Sequence, residues 1–359
     1  MSELAYIPKG NREWQRYQKE IASDHYYLAR SCIRQNIFPK AEDLLIEILR
    51  EYLNKDIYDD PRQTTCTGIA YHSGIIPLET TMTVVARQFA LMNEAGYENF
   101  AVSCVTSFGI YAEILESWQH FPQTLKKTRE LLYKATRKEF EIPKNIVHTS
   151  DLVFKFREEI SKRLQYRLVD AKSGEPLRVV DHIGCHYAKI FPQHGIGGAE
   201  YPYVLAGLTD QFGGEQVDYP ERRHCCGFGF RQYLLRSNRG YSVANSKIKF
   251  ESMQPFEPHL IIANCPGCTF FLDRWQYVLA EMEGKVYGRQ GYGIPVLTYE
   301  ELTALLLGYN PWDIGLQLHQ VAVEPLLDKI GIQYDPGNKF VGADGQSLPK
   351  PKEPKILKQ

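Results

Sequence analysis

The chain alternates short apolar runs with longer segments whose apolar residues recur at helical spacing. In the first half, the runs HYYLARSC (25–32) and NFAVSC (99–104) predict buried strands that end at a cysteine. Segments 80–96 and 108–118 follow an amphipathic helical pattern, and Gly96 stands where the first of them should end. Strands that alternate with helices predict an α/β fold with a mostly parallel sheet.

The second half of the chain repeats this order of elements. Predicted strands cover 178–185 and 259–265, and predicted helices cover 200–212, 246–254 and 269–282. A strand, a cap and a helix then follow at 294–308, as they do at 145–156 in the first half. Thr298 and Glu301 are placed to form the capping box of this last helix.

Corresponding landmarks of the two halves lie at nearly constant spacing. The separations are 153, 160, 161 and 150 residues for the pairs Cys32 and Cys185, Cys66 and Cys226, Ser107 and Cys268, and Leu152 and Leu302. A repeat of about 150 residues predicts two tandem Rossmann-like βαβ units related by internal duplication. We define the first copy as residues 25–165 and the second copy as residues 166–309. An N-terminal arm (1–24) precedes them, and a helical C-terminal extension with a polar tail (310–359) follows.

The composition is that of an ordinary globular protein. Of 359 residues, 43% are apolar and 24% are charged, and the net charge is −1. A neutral balance offers no basic field for nucleic acid or anionic lipid. The N-terminus lacks the apolar core of a signal peptide, and no apolar run approaches the length of a membrane span. We therefore expect a cytoplasmic protein without a transmembrane segment, in which the cysteines are reduced.

Five of the eight cysteines are grouped one, two and two in the second copy. Cys185 stands alone, Cys225 and Cys226 form a doublet, and Cys265 and Cys268 form a CxxC pair. The intervening segments are 39 and 38 residues long, and each group adjoins a glycine or proline turn. Several thiols at turns can converge on one point, and five exceed the needs of a single tetrahedral zinc. The pattern predicts a metal or iron–sulfur site, which we call the second-copy sulfur site.

This grouping resembles the cysteine-rich CCG domain of the heterodisulfide reductase B subunits. The resemblance extends over residues 25–309, because those proteins also carry two tandem copies. It implies a non-cubane [4Fe–4S] cluster held by all five cysteines of the second-copy sulfur site. It further implies an oxidoreductase subunit that acts on disulfides and thiols within a complex. Electrons would pass through a C-type subunit with cubane [4Fe–4S] clusters and a flavin-containing A-type subunit.

The first copy departs from the family pattern. It retains three of the five cysteines, Cys32, Cys66 and Cys104, which we call the first-copy sulfur site. Thr65 and Ser107 stand where the other two thiols should be. Because hydroxyls are far weaker iron ligands than thiolates, we do not expect the non-cubane cluster here. Three alternatives stay open: a vestigial site, a zinc site with His72 as fourth ligand, and a cubane cluster with one open iron.

One complete site makes the chain more similar to the B-type subunits of sulfur-oxidising heterodisulfide-reductase-like complexes. That resemblance implies a lipoate carrier protein as the bearer of the sulfur substrate. His186 and His224 each adjoin a predicted ligand, so each could transfer protons or simply hydrogen-bond a sulfur or a carbonyl. Two other functions remain open: a scaffold subunit that binds zinc, and a subunit of a quinone- or hydroxy-acid-linked oxidoreductase.

Overall fold

The structure, a computed structural model, describes residues 24–190, 196, 202–229, 239–288 and 293–340. The strands in these ranges are β1 (His25–Ala29), β2 (Asp56–Tyr58), β3 (Asn99–Val102), β4 (Asn145–His148), β5 (Arg178–His182), β6 (Glu215–Gln216), β7 (Leu260–Ala263) and β8 (Val296–Thr298). The helices of the first copy are α1 (Cys32–Ile37), α2 (Pro39–Ile46), α3 (Gly68–His72), α4 (Leu78–Glu94), α5 (Val105–His120), α6 (Pro122–Thr136), α7 (Thr149–Lys155) and α8 (Arg157–Ser161). Those of the second copy and extension are α9 (Val204–Gln211), α10 (Arg239–Met253), α11 (Pro266–Glu283), α12 (Tyr299–Leu306) and α13 (Glu324–Ile330).

The strands form two four-stranded parallel sheets of identical topology. The first has the order β2-β1-β3-β4 and the second the order β6-β5-β7-β8. In each sheet the chain leaves the first strand toward one edge and then crosses to build the other side. The crevice at this switch point lies outside the carboxyl ends of β1 and β3, and of β5 and β7. The predicted α/β fold with two duplicated Rossmann-like units is confirmed.

Each copy ends with a strand that runs directly into a capped helix. The Thr298 side chain accepts from the backbone N–H of Glu301, and the Glu301 carboxylate accepts from the N–H of Thr298, as predicted. His148 and Asp151 make the same reciprocal box at the start of α7. Reciprocal caps satisfy N–H groups that a helix terminus leaves without intrahelical partners.

The two copies pack against each other through equivalent elements. Helix α1, which begins at Cys32, packs on α11, whereas the π-helical segment His186–Ile190 after Cys185 packs on α5. Likewise α12 packs on α2, and α9 packs on α7. The hydroxyls of Thr149 and Tyr299, at the start of α7 and α12, lie 2.6 Å apart. This reciprocal packing turns the cysteine-bearing ends of the two copies toward each other.

The core of the first copy is rich in aromatic side chains from α4, α5 and β3. Phe89 meets Phe100 edge-on at 5.1 Å between ring centroids, and Phe100 meets Tyr111 at 5.0 Å. All three are buried. Burial of each such side chain contributes roughly 1.5–3 kcal/mol to the stability of the fold. The cluster therefore holds α4 and α5 against the first sheet.

The C-terminal extension is helical, as predicted. We predicted one or two helices over 311–332, and the structure has one α-helix, α13, preceded by a 3₁₀ turn at Leu316–Leu318. The buried side chains of α13 are those of Leu326, Leu327 and Ile330. The arm and tail predicted at 1–24 and 341–359 lie outside the described residues, apart from Asp24. None of the helices that the structure describes has both the length and the apolar character required to cross a membrane.

A buried histidine ties the extension to the second copy. The His319 ring stacks on Phe38 at 5.2 Å, its Nε2 lies 3.2 Å from Glu301 on α12, and its Nδ1 lies 3.9 Å from Asp273 on α11. Burial alone would lower the pKa of His319, but Glu301 and Asp273 outweigh it and raise that pKa to about 8.

This histidine predicts a stability loss at mildly alkaline pH. Because the folded pKa lies above the unfolded value of about 6.5, the contribution is complete below pH ~6.5 and disappears as pH rises through about 8. The contribution should be on the order of 2 kcal/mol. Urea midpoints measured from pH 6 to 9 should therefore fall more steeply for the natural protein than for His319→Gln. Parallel curves for the two proteins would contradict the assignment.

Candidate metal centre

The ligand-bearing turns of the second copy lie where its two central strands end. Cys185 follows β5, and Cys265 follows β7 as the N-cap of α11. The Asn264 side chain accepts a 2.9 Å hydrogen bond from the Gly184 N–H, which holds the two turns together. A Cβ on Gly184 would lie 2.9 Å from the Cβ of Cys265, so only glycine permits this approach.

The structure brings all five predicted sulfur ligands together. The Sγ atoms of Cys226 and Cys268 are 3.2 Å apart. The Cys225 thiol group hydrogen-bonds both Cys185 and Cys226, and Cys268 also hydrogen-bonds Cys265. The five side chains thus form one continuous set of contacts. Cys226, Cys265 and Cys268 are buried, whereas Cys185 and Cys225 are half-buried, so the set is open on one side.

The thiols share protons within this set. Hydrogen bonds from Cys185 and Cys226 hold the pKa of Cys225 far below its ordinary value, and a hydrogen bond from Cys268 lowers that of Cys265. The pKa values of Cys226 and Cys268 are raised in turn, because each donates to a neighbouring sulfur. The thiolate is the form of cysteine that binds metal, and the lowered pKa values of Cys225 and Cys265 favour that form.

Helix α10 and one glycine shape the turn that carries the cysteine doublet. Gly227 has φ +85°, and a Cβ there would lie 2.2 Å from the carbonyl oxygen of Ser242. The Ser242 hydroxyl donates to the Gly227 carbonyl at 2.5 Å, and Ser246 donates to the Cys226 carbonyl at 2.5 Å. One helix turn further, the fully buried Lys249 ammonium donates to backbone carbonyls of the same loop. The loop therefore has one well-defined conformation.

A histidine that sequence reasoning did not assign as a ligand joins the site. His182, the last residue of β5, is buried, and its ring lies with Cys226 and Cys268 so that one ligand atom of each falls within 4.8 Å of the others. His182 lies three residues before Cys185, near the end of a predicted strand, which indicated that it lies at the same edge of the sheet as that cysteine. The sequence could not show which face of β5 it occupies.

The two histidines that we singled out lie beside the ligands in different surroundings. The His186 ring lies tilted against that of His72 of the first copy, with 5.0 Å between the ring centroids, and fits against Gly109 on α5. Burial, and then His72, lower the pKa of His186 to about 4, so its ring is neutral at neutral pH. His224 contacts Asn245 at 3.1 Å and Glu221 at 3.5 Å. A proton-transfer role for either histidine stays a prediction.

In the first-copy sulfur site, a serine hydroxyl lies in contact with one of the three cysteines. The Cys66 Sγ lies 3.0 Å from the Ser107 Oγ, the residue that replaces the last cysteine of the pattern. Burial raises the pKa of Cys32 to about 11 and that of Cys66 to about 12, so both stay protonated at neutral pH. Cys104 interacts electrostatically with both and, across the interface, with Cys265. The two sulfur sites are neighbours.

The alternatives for the first-copy sulfur site stay open. His72, proposed as a fourth zinc ligand, packs its ring on His186. Among the residues that the structure describes, no three candidate ligand atoms of this site lie within 4.8 Å of one another, as those of His182, Cys226 and Cys268 do. The chemistry of its neutral thiols therefore differs from that of the second-copy sulfur site.

Comparison with known proteins finds the same cysteine-rich domain and relatives of similar length. Residues 179–273 match the family designated CCG, described as a cysteine-rich domain. The chain is 27% identical over 314 residues to the B subunit of the ferredoxin:CoB-CoM heterodisulfide reductase of Methanosarcina acetivorans, a match that covers 85% of this chain and 96% of that protein. Another B subunit from the same organism, that of a ferredoxin/F(420)H(2)-dependent CoB-CoM heterodisulfide reductase, is 24% identical over 84% of this chain and 96% of its own length.

A solved structure shares the fold. A hypothetical protein from Helicobacter pylori superposes with a TM-score of 0.57 at 13% identity, over 88% of this chain and 57% of that one. This likeness concerns the fold alone. The similarity to the reductase subunits extends over both copies, as the resemblance of the cysteine pattern implied.

Proposed function

We propose that this chain is the substrate-handling iron–sulfur subunit of a heterodisulfide-reductase-like complex. In this proposal its second-copy sulfur site holds a non-cubane [4Fe–4S] cluster through Cys185, Cys225, Cys226, Cys265 and Cys268. The observation that carries the proposal is the convergence of five thiols from three separate turns. The similarity to heterodisulfide reductase B subunits over most of the chain supports the same reading.

The side chains present suit such a group. All five are soft sulfur donors, and hydrogen bonds lower the pKa values of Cys225 and Cys265. Their number exceeds that of one tetrahedral ion, which favours a cluster over a single metal. When bound, the cluster would supply one-electron redox chemistry beside a thiophilic iron.

The chain itself would organise the reaction. The three buried cysteines would fix the group, whereas the half-buried Cys185 and Cys225 mark the side from which a sulfur substrate approaches. Phe228 packs on Phe271 at 4.9 Å and lies against Gly267 of the CxxC turn, where it keeps water from the sulfurs. Reducing one disulfide to two thiols takes two electrons and two protons, so two reduced chains would be oxidised for each disulfide.

The first copy limits the mechanism. Two equal sites that split a disulfide between them would need ten thiols, and this chain has eight cysteines. We therefore propose a substrate that needs one site, such as the dithiol or disulfide of a lipoate carrier protein in a sulfur-oxidising complex. Electrons would be exchanged through a C-type subunit with cubane clusters and a flavin-containing A-type subunit.

A zinc-binding scaffold is the second candidate. One observation favours it: His182, Cys226 and Cys268 bring their ligand atoms within 4.8 Å of one another, as a tetrahedral zinc requires of three ligands. Under this reading the protein is colourless and carries zinc, and the remaining thiols have no metal role.

A single-turnover assay tests the proposed function. Protein prepared without oxygen should be brown, with about four irons per chain. After reduction and removal of the reductant, a lipoate-carrier disulfide should restore the oxidised spectrum, with two chains oxidised for each disulfide. A heterodisulfide and a quinone are the comparison substrates. Reoxidation by the quinone alone would move the assignment to a quinone-linked enzyme, and colourless protein with zinc would overturn it.

A further inference from the structure

A buried cation lies at the interface between the two copies. Arg34, on α1 of the first copy, is fully buried, and its Nη1 donates to the carboxylate of Glu300 on α12 of the second copy. Its guanidinium carbon lies 5.5 Å from the centroid of the Tyr299 ring. Burial disfavours its charge, but Glu300 outweighs this and holds the pKa of Arg34 above its ordinary value. The guanidinium is therefore permanently positive.

Two of its donors are unused. In the part of the chain that the structure describes, Arg34 Nε and Nη2 are buried and have no hydrogen-bond partner. A buried charged group with unpaired N–H donors is costly, so such groups normally face an acceptor. The unpaired donors of Arg34 therefore indicate an anionic occupant beside them.

The sulfur sites supply that anion. Helix α1 packs on α11, which begins just after Cys265 and contains Cys268. Arg34 interacts electrostatically with Cys265 of the second copy and with Cys104 of the first. Cys265 belongs to the complete set of five cysteines and Cys104 to the incomplete set, so with metal bound the second-copy sulfur site would carry more thiolate charge.

The duplication shows that only the first copy has a cation at this position. Counting from the lone cysteines, the position of Arg34 corresponds to Tyr187 in the second copy. Tyr187 hydrogen-bonds Asp151 of the first copy, as Arg34 pairs with Glu300, but it carries no charge. The interface between the copies therefore holds a cation at Arg34 and a neutral phenol at the equivalent position, Tyr187.

We propose that Arg34 is a positioning residue of the second-copy sulfur site, whose buried positive charge at the interface stabilises the reduced, more negative state of that site. This inference rests on the proposed function, since it concerns the electron affinity of that site. Hydrogen bonds and charge near sulfur ligands set the reduction potential of such sites, and a buried charge acts strongly because water does not screen it. The first copy, which lacks two of the five thiols, would then supply a positive charge to the sulfur site of the second copy.

The test measures the ratio of reduced to oxidised site at a fixed applied potential, by electron paramagnetic resonance of iron-loaded protein. Three variants are compared with the natural protein: Glu300→Gln, the double variant Arg34→Met with Glu300→Gln, and Arg129→Met. The double variant removes both charges, because a single change at Arg34 would leave a buried carboxylate unpaired. Arg129 is a half-exposed cation on α6 and provides the matched control. The pH is 8, because burial raises the pKa of Glu300 to about 7 and the carboxylate must be ionised.

Glu300→Gln removes the carboxylate that pairs with Arg34 and should raise the ratio about tenfold, which corresponds to about 59 mV for one electron. The double variant should give a ratio at least about tenfold below that of Glu300→Gln, and Arg129→Met should match the natural protein. Equal ratios in natural protein, Glu300→Gln and the double variant would overturn the inference and leave the proposed function standing. If the double variant does not fold, an unchanged ratio in Glu300→Gln is sufficient to overturn it. Natural protein without iron would instead refute the proposed function.

Discussion

Replacing Cys226 by serine should abolish iron binding. This thiol is buried at the centre of the second-copy sulfur site, where it contacts both Cys225 and Cys268. A hydroxyl is a far weaker ligand for iron, and its neighbours would lose the sulfur that connects them. Protein prepared without oxygen should fall from about four irons per chain to fewer than about one, measured by elemental analysis with the visible spectrum.

The duplication provides a control at the equivalent position. Cys66 lies 160 residues earlier, is buried to a similar degree, and hydrogen-bonds Ser107 instead of a second thiol. Cys66→Ser is the same chemical change in the incomplete site, and it should leave the iron content and the spectrum of the second-copy sulfur site unaltered. Equal iron loss in both variants would show that the two sites act as one.

Replacing Gly227 by alanine should destabilise the second copy by about 3 kcal/mol or more. The added Cβ would lie 2.2 Å from a backbone oxygen on α10, and the residue has φ +85°. The loop must move to relieve this contact, and the cysteine doublet moves with it. Thermal unfolding of the metal-free protein measures the stability loss, and reduced iron uptake should accompany it.

The first copy again holds the matching control. Thr67 occupies the corresponding position with φ +59°, and its hydroxyl donates to the Cys66 carbonyl at 2.7 Å. Thr67→Gly relieves the left-handed strain and loses this hydrogen bond, so its stability should stay within about 1 kcal/mol of the natural protein. A melting temperature for Gly227→Ala equal to that of Thr67→Gly would contradict the account of the turn.

The duplicated α/β architecture could be predicted because its signals are local. Runs such as 259–265 and caps such as Thr298 with Glu301 are encoded within a few residues, and the structure confirms them. The edge strands β2 and β6 were missed, since three and two residues are too few to show a pattern. Residues 311–332 contain one α-helix and a 3₁₀ turn, in agreement with the one or two helices predicted there, and contacts such as those of His319 hold the segment on the second copy.

The grouping of the cysteines could be seen in the sequence, whereas the residues that surround them in the structure could not. Cysteine spacing is visible in a sequence, whereas His182 depends on which face of a strand it occupies. Arg34 and Glu300 lie 266 positions apart in the sequence, so no pattern within a few residues predicts that they pair. A contact between two copies of a duplicated fold arises from packing, so the structure was needed to find it.

The first copy has a physical role in this account although its ligand set is incomplete. It covers one side of the second-copy sulfur site: Val105 packs on Gly184, and Gly109 receives the His186 ring. Its protonated thiols and the Ser107 hydroxyl form a neutral surface next to Cys265. Losing this half would expose the thiolate-rich set to water.

The most direct measurement is an anomalous difference map at the iron absorption edge, from crystals grown without oxygen. We expect strong iron peaks within bonding distance of the sulfurs of Cys185, Cys225, Cys226, Cys265 and Cys268, and none of comparable height between Cys66 and Ser107. A map without iron at those five sulfurs, or with one zinc ion on His182, Cys226 and Cys268, would contradict this expectation.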